Sequence, residues 1–146
     1  PVPPAHRLAP DIELYSADSI LNMLSNLLND EVIEVIGLTN KNIFVFKKNE
    51  DKTANGLWNK NVSVVLGFGD YPGKCSVVSD YMFKTRDTKL LRHRLRSVII
   101  HEIGHNLGLD HCTFNKCIMS EENRKIPVLD NSGNDYCDRC KRKLDD

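Results

Sequence analysis

The 146 residues, 40% of them hydrophobic, suffice for one domain with a sizeable core and leave too little chain for a second. Twenty lysines and arginines balance twenty aspartates and glutamates, so no long-range field favours nucleic acid or an anionic membrane. No apolar run approaches the length of a membrane span, and the first twenty residues lack the charged-then-apolar order of a secretory signal; the chain begins at Pro1, as a processed or trimmed start would.

Residues 1–10 are rich in proline and are expected to be irregular or extended, with Asp11 to Leu14 opening a strand. Ser16 to Ser19 offers N-cap side chains, and Ile20, Leu21, Leu24, Leu27 and Leu28 recur with helical period to about Asn29, predicting a core-facing amphipathic helix. Glu31 to Leu38 and Asn42 to Phe46 are enriched in β-branched and aromatic residues and are predicted strands that carry no chemistry. Lys47 to Asn61 is polar and contains Asn55-Gly56, the mark of an exposed loop or hairpin end, with Leu57 and Trp58 folding back to pack. Val62 to Leu66 has the apolar content of a buried strand. Gly67-Phe68-Gly69-Asp70-Tyr71-Pro72-Gly73 then breaks the pattern, and because no helix N-terminus follows the glycines it predicts a turn or bulge instead of a phosphate loop. Cys75 to Ser79 is a further short strand.

The next helix is predicted to begin at Thr85 or Asp87, either of which can cap it. Leu91, Leu95, Val98, Ile99 and Glu102 share one face, which points into the core. Arg86, Lys89, His93, Arg94 and Arg96 share the other, expected to be a solvated basic surface with His93 exposed.

That helix carries His101-Glu102-Ile103-Gly104-His105, continued by Gly108 and His111. Histidines four positions apart on a helix lie about 40° apart around its axis and one turn apart along it, so both imidazoles reach one ion. Glu102 stands beside the ion without having to bind it, where a general base acting on metal-bound water must be. Gly108 can take positive φ, so the helix stops and the chain turns to bring His111 as third ligand. Three histidines leave one tetrahedral position open, which separates a catalytic zinc from a structural one. The alternative is a buried helix whose histidines make ordinary hydrogen bonds. It suits a bare His-Glu-x-x-His well and the longer pattern, with five fixed positions in eleven, poorly.

Of the five cysteines, Cys112, Cys117, Cys137 and Cys140 cluster after His111, the last pair in Cys-x-x-Cys spacing. An odd count without a signal points to thiols in a reducing compartment, the cytoplasm, and hence to a closed four-thiolate zinc site that contributes folding energy. Two disulfides, with three possible connectivities, are the competing assignment. Cys75 lies outside the cluster and is expected to be a small buried apolar side chain.

Over residues 101–140 the order His-Glu-x-x-His-x-x-Gly-x-x-His, a cysteine directly after it, a second cysteine with Met119 two positions later, and a final Cys-x-x-Cys after seventeen residues closely resembles the archaemetzincins, a branch of the metzincin zinc metallopeptidases. The resemblance implies an α+β fold, metzincin-like, in one catalytic domain: a twisted mixed sheet with packed helices and the active-site helix over residues 1–108, a small lower part over 109–146 with structural zinc, and a cleft between. It also implies that His101, His105 and His111 bind catalytic zinc, that Glu102 is general acid and base, that Met119 forms the Met-turn, and that Cys112, Cys117, Cys137 and Cys140 bind a second, structural zinc. An antiparallel edge strand pairs with substrate in metzincins, and Cys75 to Ser79 is the candidate for it here. Tyr81 and Tyr136 are available to steady the oxyanion, but no motif fixes either. The expectation is a monomeric, two-zinc peptidase acting on peptide or protein substrates, with no nucleic-acid or membrane partner. A non-catalytic zinc-bound peptide-binding module and a zinc hydrolase of non-peptide amides are the alternatives.

Overall fold

The computed structural model describes residues 6–9, 12–46, 62–121 and 125–145; the Asn55-Gly56 loop with Leu57 and Trp58 falls outside them. The order is β1 (His6–Ala9), β2 (Ile12–Ser16), α1 (Ala17–Ser25), β3 (Val35–Thr39), β4 (Ile43–Phe46), β5 (Val62–Val65), β6 (Gly67–Gly69), β7 (Cys75–Ser79), α2 (Thr88–Asn106), α3 (Ile126–Leu129) and α4 (Asp138–Asp145). Strands outnumber helices in the first half and helices dominate the second, an α+β arrangement as expected.

Two mixed sheets form, in the orders β1-β2-β4-β5 and β3-β7-β6. In the first, β2 and β4 are parallel and the outer pairs antiparallel; in the second, β3 runs parallel to β7 and β6 antiparallel to it. Only Leu66 separates β5 from β6, and its carbonyl accepts the Ser79 amide at 2.8 Å, so the chain passes from one sheet to the other in a single bend. The glycine segment expected as a turn therefore begins as a strand.

β7 is the centre of the second sheet. All five of its residues are buried, and the period of two divides them: Cys75 and Val77 join Tyr15, Ile20, Leu21 and Leu24 of the α1 side, while Val78 joins Val98 and Leu129 of the α2 side. This corrects the expectation that Cys75 to Ser79 is the edge strand at the cleft. A strand with no charged side chain is covered on both faces and both edges, and among the described residues the outer strand of the sheet beside α2 is β6.

Ser16 caps α1 by accepting the Ser19 amide at 3.3 Å. The helix stops at Ser25, short of the expected Asn29, where Ser25 Oγ and Asn26 Nδ2 donate to the Asn22 carbonyl and compete with the backbone ladder. Leu27 consequently stays 60% exposed. β3 begins later than Glu31, because a turn in which Asn29 accepts from the Glu31 and Val32 amides takes up those residues.

Asp87 caps α2, its Oδ1 accepting the Lys89 and Leu90 amides at 2.9 and 3.1 Å. The far end closes as a Schellman motif: Gly108 adopts φ +87°, its amide donates to His105, and Leu109 donates to Gly104 at 2.8 Å. The face of α2 expected to be solvated is not fully so. Arg94 is buried and His93 half-buried, because the segment after residue 125 folds back over them. Among the described residues no helix is long and apolar enough to cross a membrane.

Candidate metal centre and cleft

His101 and His105 face one side of α2, and their Nδ1 atoms meet the carbonyls of Ile118 and Leu109, each at 2.8 Å. A carbonyl only accepts, so both Nδ1 atoms carry the proton and both Nε2 atoms present lone pairs. Those Nε2 atoms lie 3.1 Å apart. Two lone pairs so close repel unless a cation or proton sits between them, and neutral imidazoles are ligands that suit zinc. His111 arrives from the turn beyond Gly108, its ring centroid 4.9 Å from that of His105 and 5.3 Å from that of His101. One nitrogen from each of the three rings falls within 4.8 Å of the others. Burial holds His105 below the usual imidazole range; the Leu109 carbonyl opposes this, and the His111 charge adds to it.

Glu102 lies against β6 and is only 6% exposed. Burial pushes its carboxyl up to about 8, against the lowering effect of a hydrogen bond from the Gly69 amide. The fit demands glycine: a Cβ on Gly67 would come within 2.6 Å of Glu102 Oε1, and one on Gly69 within 2.9 Å of Asn106 Oδ1. Beside Glu102 a cavity of about 380 Å³ opens, lined by the apolar Leu66, Val98 and Leu129 of one core cluster and also by Tyr71, Asp110 and His111.

Met119 is fully buried beneath the helix; a Cβ on Gly104 would meet its sulfur at 2.3 Å. The Met119 carbonyl accepts the Cys112 amide at 2.8 Å, joining the segment to the third-histidine turn.

The four cysteine sulfurs also lie within 4.8 Å of one another. Cys112 and Cys137 are 3.8 Å apart and Cys117 and Cys140 3.7 Å, against roughly 3.8 Å for two thiolates on a tetrahedral zinc and about 2.05 Å for a disulfide. Burial pushes the Cys117 and Cys140 thiols up. At Cys137 burial acts in the same sense but is outweighed by hydrogen bonds from the Cys140 amide and neighbouring thiols, which bring it to about 7. Cys75, fully buried in the α1 core, is far from this group, as expected.

The three histidines form one group, beside which Glu102 lines the same cavity, the four cysteines form a second, and Met119 is buried against Gly104. The two tyrosines are not brought to the cleft. Tyr136 donates to the Ile100 carbonyl at 2.8 Å beneath the helix, burial pushing it up to about 12, and Tyr81 is exposed beside Lys84. The tyrosine at the cleft is Tyr71, whose hydroxyl donates to Asp110 Oδ1 at 2.8 Å and whose ring meets His105 edge-on at 6.1 Å. Its place in a Tyr-Pro turn gave no chemical signal. Nor did the sequence mark the latch behind the helix, where Asn106 Nδ2 donates to Glu34 at 2.6 Å and to Ser76 at 2.7 Å.

A family model described as peptidase family M54 matches residues 11–146. The archaemetzincin of Archaeoglobus fulgidus is 33% identical over 92 residues, covering 63% of this chain and 56% of that protein. That of Methanopyrus kandleri is 32% identical over 130 residues, covering 89% of this chain and 65% of the relative. The crystal structure of the Methanopyrus kandleri archaemetzincin superposes with a TM-score of 0.72 at 30% identity, covering 90% of this chain and 64% of that one. The chain therefore spans somewhat under two thirds of the length of these relatives.

Proposed function

The chain belongs to peptidase family M54, the archaemetzincins, and on that premise we propose that it is a zinc-dependent peptidase with Glu102 as general base and acid. His101, His105 and His111 would hold the catalytic zinc, and Cys112, Cys117, Cys137 and Cys140 a structural one. The observation that carries this reading is the convergence of three imidazoles on a cavity that Glu102 also lines. Zinc, when bound, supplies Lewis acidity toward water and toward a peptide carbonyl.

The chain's own residues supply the rest. The Ile118 and Leu109 carbonyls fix the ring orientations, so the ligand lone pairs are in place beforehand. Glu102, its proton affinity raised by burial, takes the proton of the attacking water and returns it to the departing amine. The Gly69 amide holds that carboxyl in place. The outer edge of β6, beyond the Gly69 amide that serves Glu102, is where an extended peptide backbone would lie, and the Leu66, Val98 and Leu129 lining of the cavity would take an apolar side chain next to the scissile bond. In this reading residues 1–108 form the upper part of one catalytic domain and 109–146 the lower, acting as a monomer on peptide or protein substrates. Thiols at metal-ligand spacing are the ground on which a reducing compartment, the cytoplasm, is proposed.

A peptide-library digest read by mass spectrometry, with zinc content measured on the same samples, tests this. Cleavage that falls about 10³-fold or more in Glu102→Ala, with fold and zinc retained, is the expected outcome. Equal cleavage by that variant removes the assignment. Saturable peptide binding without cleavage at full zinc occupancy would make the protein a binding module.

A further inference from the structure

His93 and Arg94 of α2 bond the segment that carries Leu129, one of the residues lining the cavity. Arg94 Nε and Nη2 donate to the two oxygens of Asp130 at 2.5 and 2.7 Å, and its Nη1 donates to the Phe83 carbonyl at 2.8 Å. His93 Nε2 donates to the Leu129 carbonyl at 3.1 Å, and that carbonyl also accepts from Ser132 Oγ at 2.8 Å. The Leu129 side chain, 1% exposed, packs on Val98 and lines the cavity.

The segment so held cannot hold itself. α3 is a single turn of four residues with no side-chain cap, too short to be stable alone. Its position must be imposed from outside, and the contacts that impose it come from the same helix that carries Glu102. A guanidinium fork on both carboxylate oxygens fixes direction as well as distance, which an ammonium would not do. With the Arg94 side chain 10% and the Asp130 side chain 25% exposed, the pair is partly shielded from solvent screening.

We propose that Arg94 and Asp130 are positioning residues for the substrate: their two-point pair sets how far Leu129 stands from Val98, and so which apolar side chain the cavity accepts beside the scissile bond. This rests on the peptidase reading above. The two residues touch neither the reacting atoms nor the candidate metal ligands, so their loss should act on KM and on the ranking of substrates more than on kcat.

The test uses the full chain with its zinc, digesting a peptide series that varies one residue next to the cleaved bond from Ala through Val and Leu to Phe. Asp130→Asn and Arg94→Lys are compared with wild type, with zinc content and thermal unfolding read on the same samples. The expected result is a change of about tenfold in the Phe-to-Ala ratio of kcat/KM, carried by KM, with zinc unchanged. Leu129→Ala, which trims the wall and keeps the clamp, should move the ratio in the same direction and covers the case in which Asp130→Asn fails to fold. An unchanged ranking in folded, zinc-loaded Arg94→Lys overturns the proposal, as does a fall in rate that only tracks the unfolded fraction. If zinc-loaded wild type cleaves no peptide at all, the peptidase reading itself fails and takes the clamp with it.

Discussion

The histidine and cysteine clusters adjoin in sequence, His111 being followed at once by Cys112, yet they are built in opposite ways. The three histidines line a cavity, with His111 exposed, and two of the rings are aimed by backbone carbonyls. The cysteines are more enclosed: Cys117 is fully buried, Cys112 and Cys140 are nearly so, Cys137 is half-buried, and the four sulfurs cluster. The difference is one of dependence as much as of openness. Ile118, the residue after Cys117, supplies the carbonyl that orients His101, so the closed cluster holds part of the open one in register. An open site cannot brace itself without filling the position it must leave free.

The largest effect should come from breaking the closed cluster. Cys117→Ser removes one proposed structural ligand, with an expected loss on the order of 5 kcal/mol, a fall from two zinc ions per chain to one or none, and activity lost with it. Thermal unfolding alongside metal analysis checks this. His101→Ala should lose only one zinc and keep the fold, and equal destabilisation by both changes would end the asymmetry.

A smaller effect isolates the open side. Glu102 ionises at 4.5 when exposed and at about 8 where it is buried. Between those values the folded, zinc-stripped protein holds a proton that the unfolded chain has released, so its stability falls as pH rises, by about 3 to 5 kcal/mol once pH exceeds 8. Glu102→Gln should lack that slope, and the difference between two unfolding series from pH 5 to 9 reads it. Parallel series would mean that the carboxyl is not desolvated as the cavity implies. The smallest effect is expected from Tyr71→Phe. It removes one exposed hydroxyl bond to Asp110 beside His111, leaving the fold intact and weakening zinc at the histidine cluster by less than about tenfold, with the cysteine cluster unmoved. Competition with a chelator measures both affinities.

Much of this was legible beforehand where spacing along one element decides geometry. The i, i+4 histidines, a helix cap at Thr85 or Asp87 and the Gly108 stop follow from local rules of helix pitch and capping, which hold whatever packs around them, and the cysteine spacing marks the sulfur cluster. Readings that depended on what lies opposite fared worse. The metzincin resemblance makes β7 the edge strand at the cleft, whereas both its faces and both its edges are covered. Arg94 looked solvated because helical period cannot foresee that Asp130, thirty-six positions on, returns to meet it. Tyr71 looked like a turn residue because its partner lies thirty-nine positions away.

The sequence by itself determined that three imidazoles and a carboxyl would share one helix and turn, and that four sulfurs would follow within reach of each other. Tertiary structure alone decided which strand edges the cleft, which tyrosine stands beside the histidines, and what fixes the Leu129 wall. Chain stereochemistry carries the first kind of information over a few residues. The second depends on pairings between distant segments, whose free energy is set by burial and hydrogen bonding that exist only once the chain has closed.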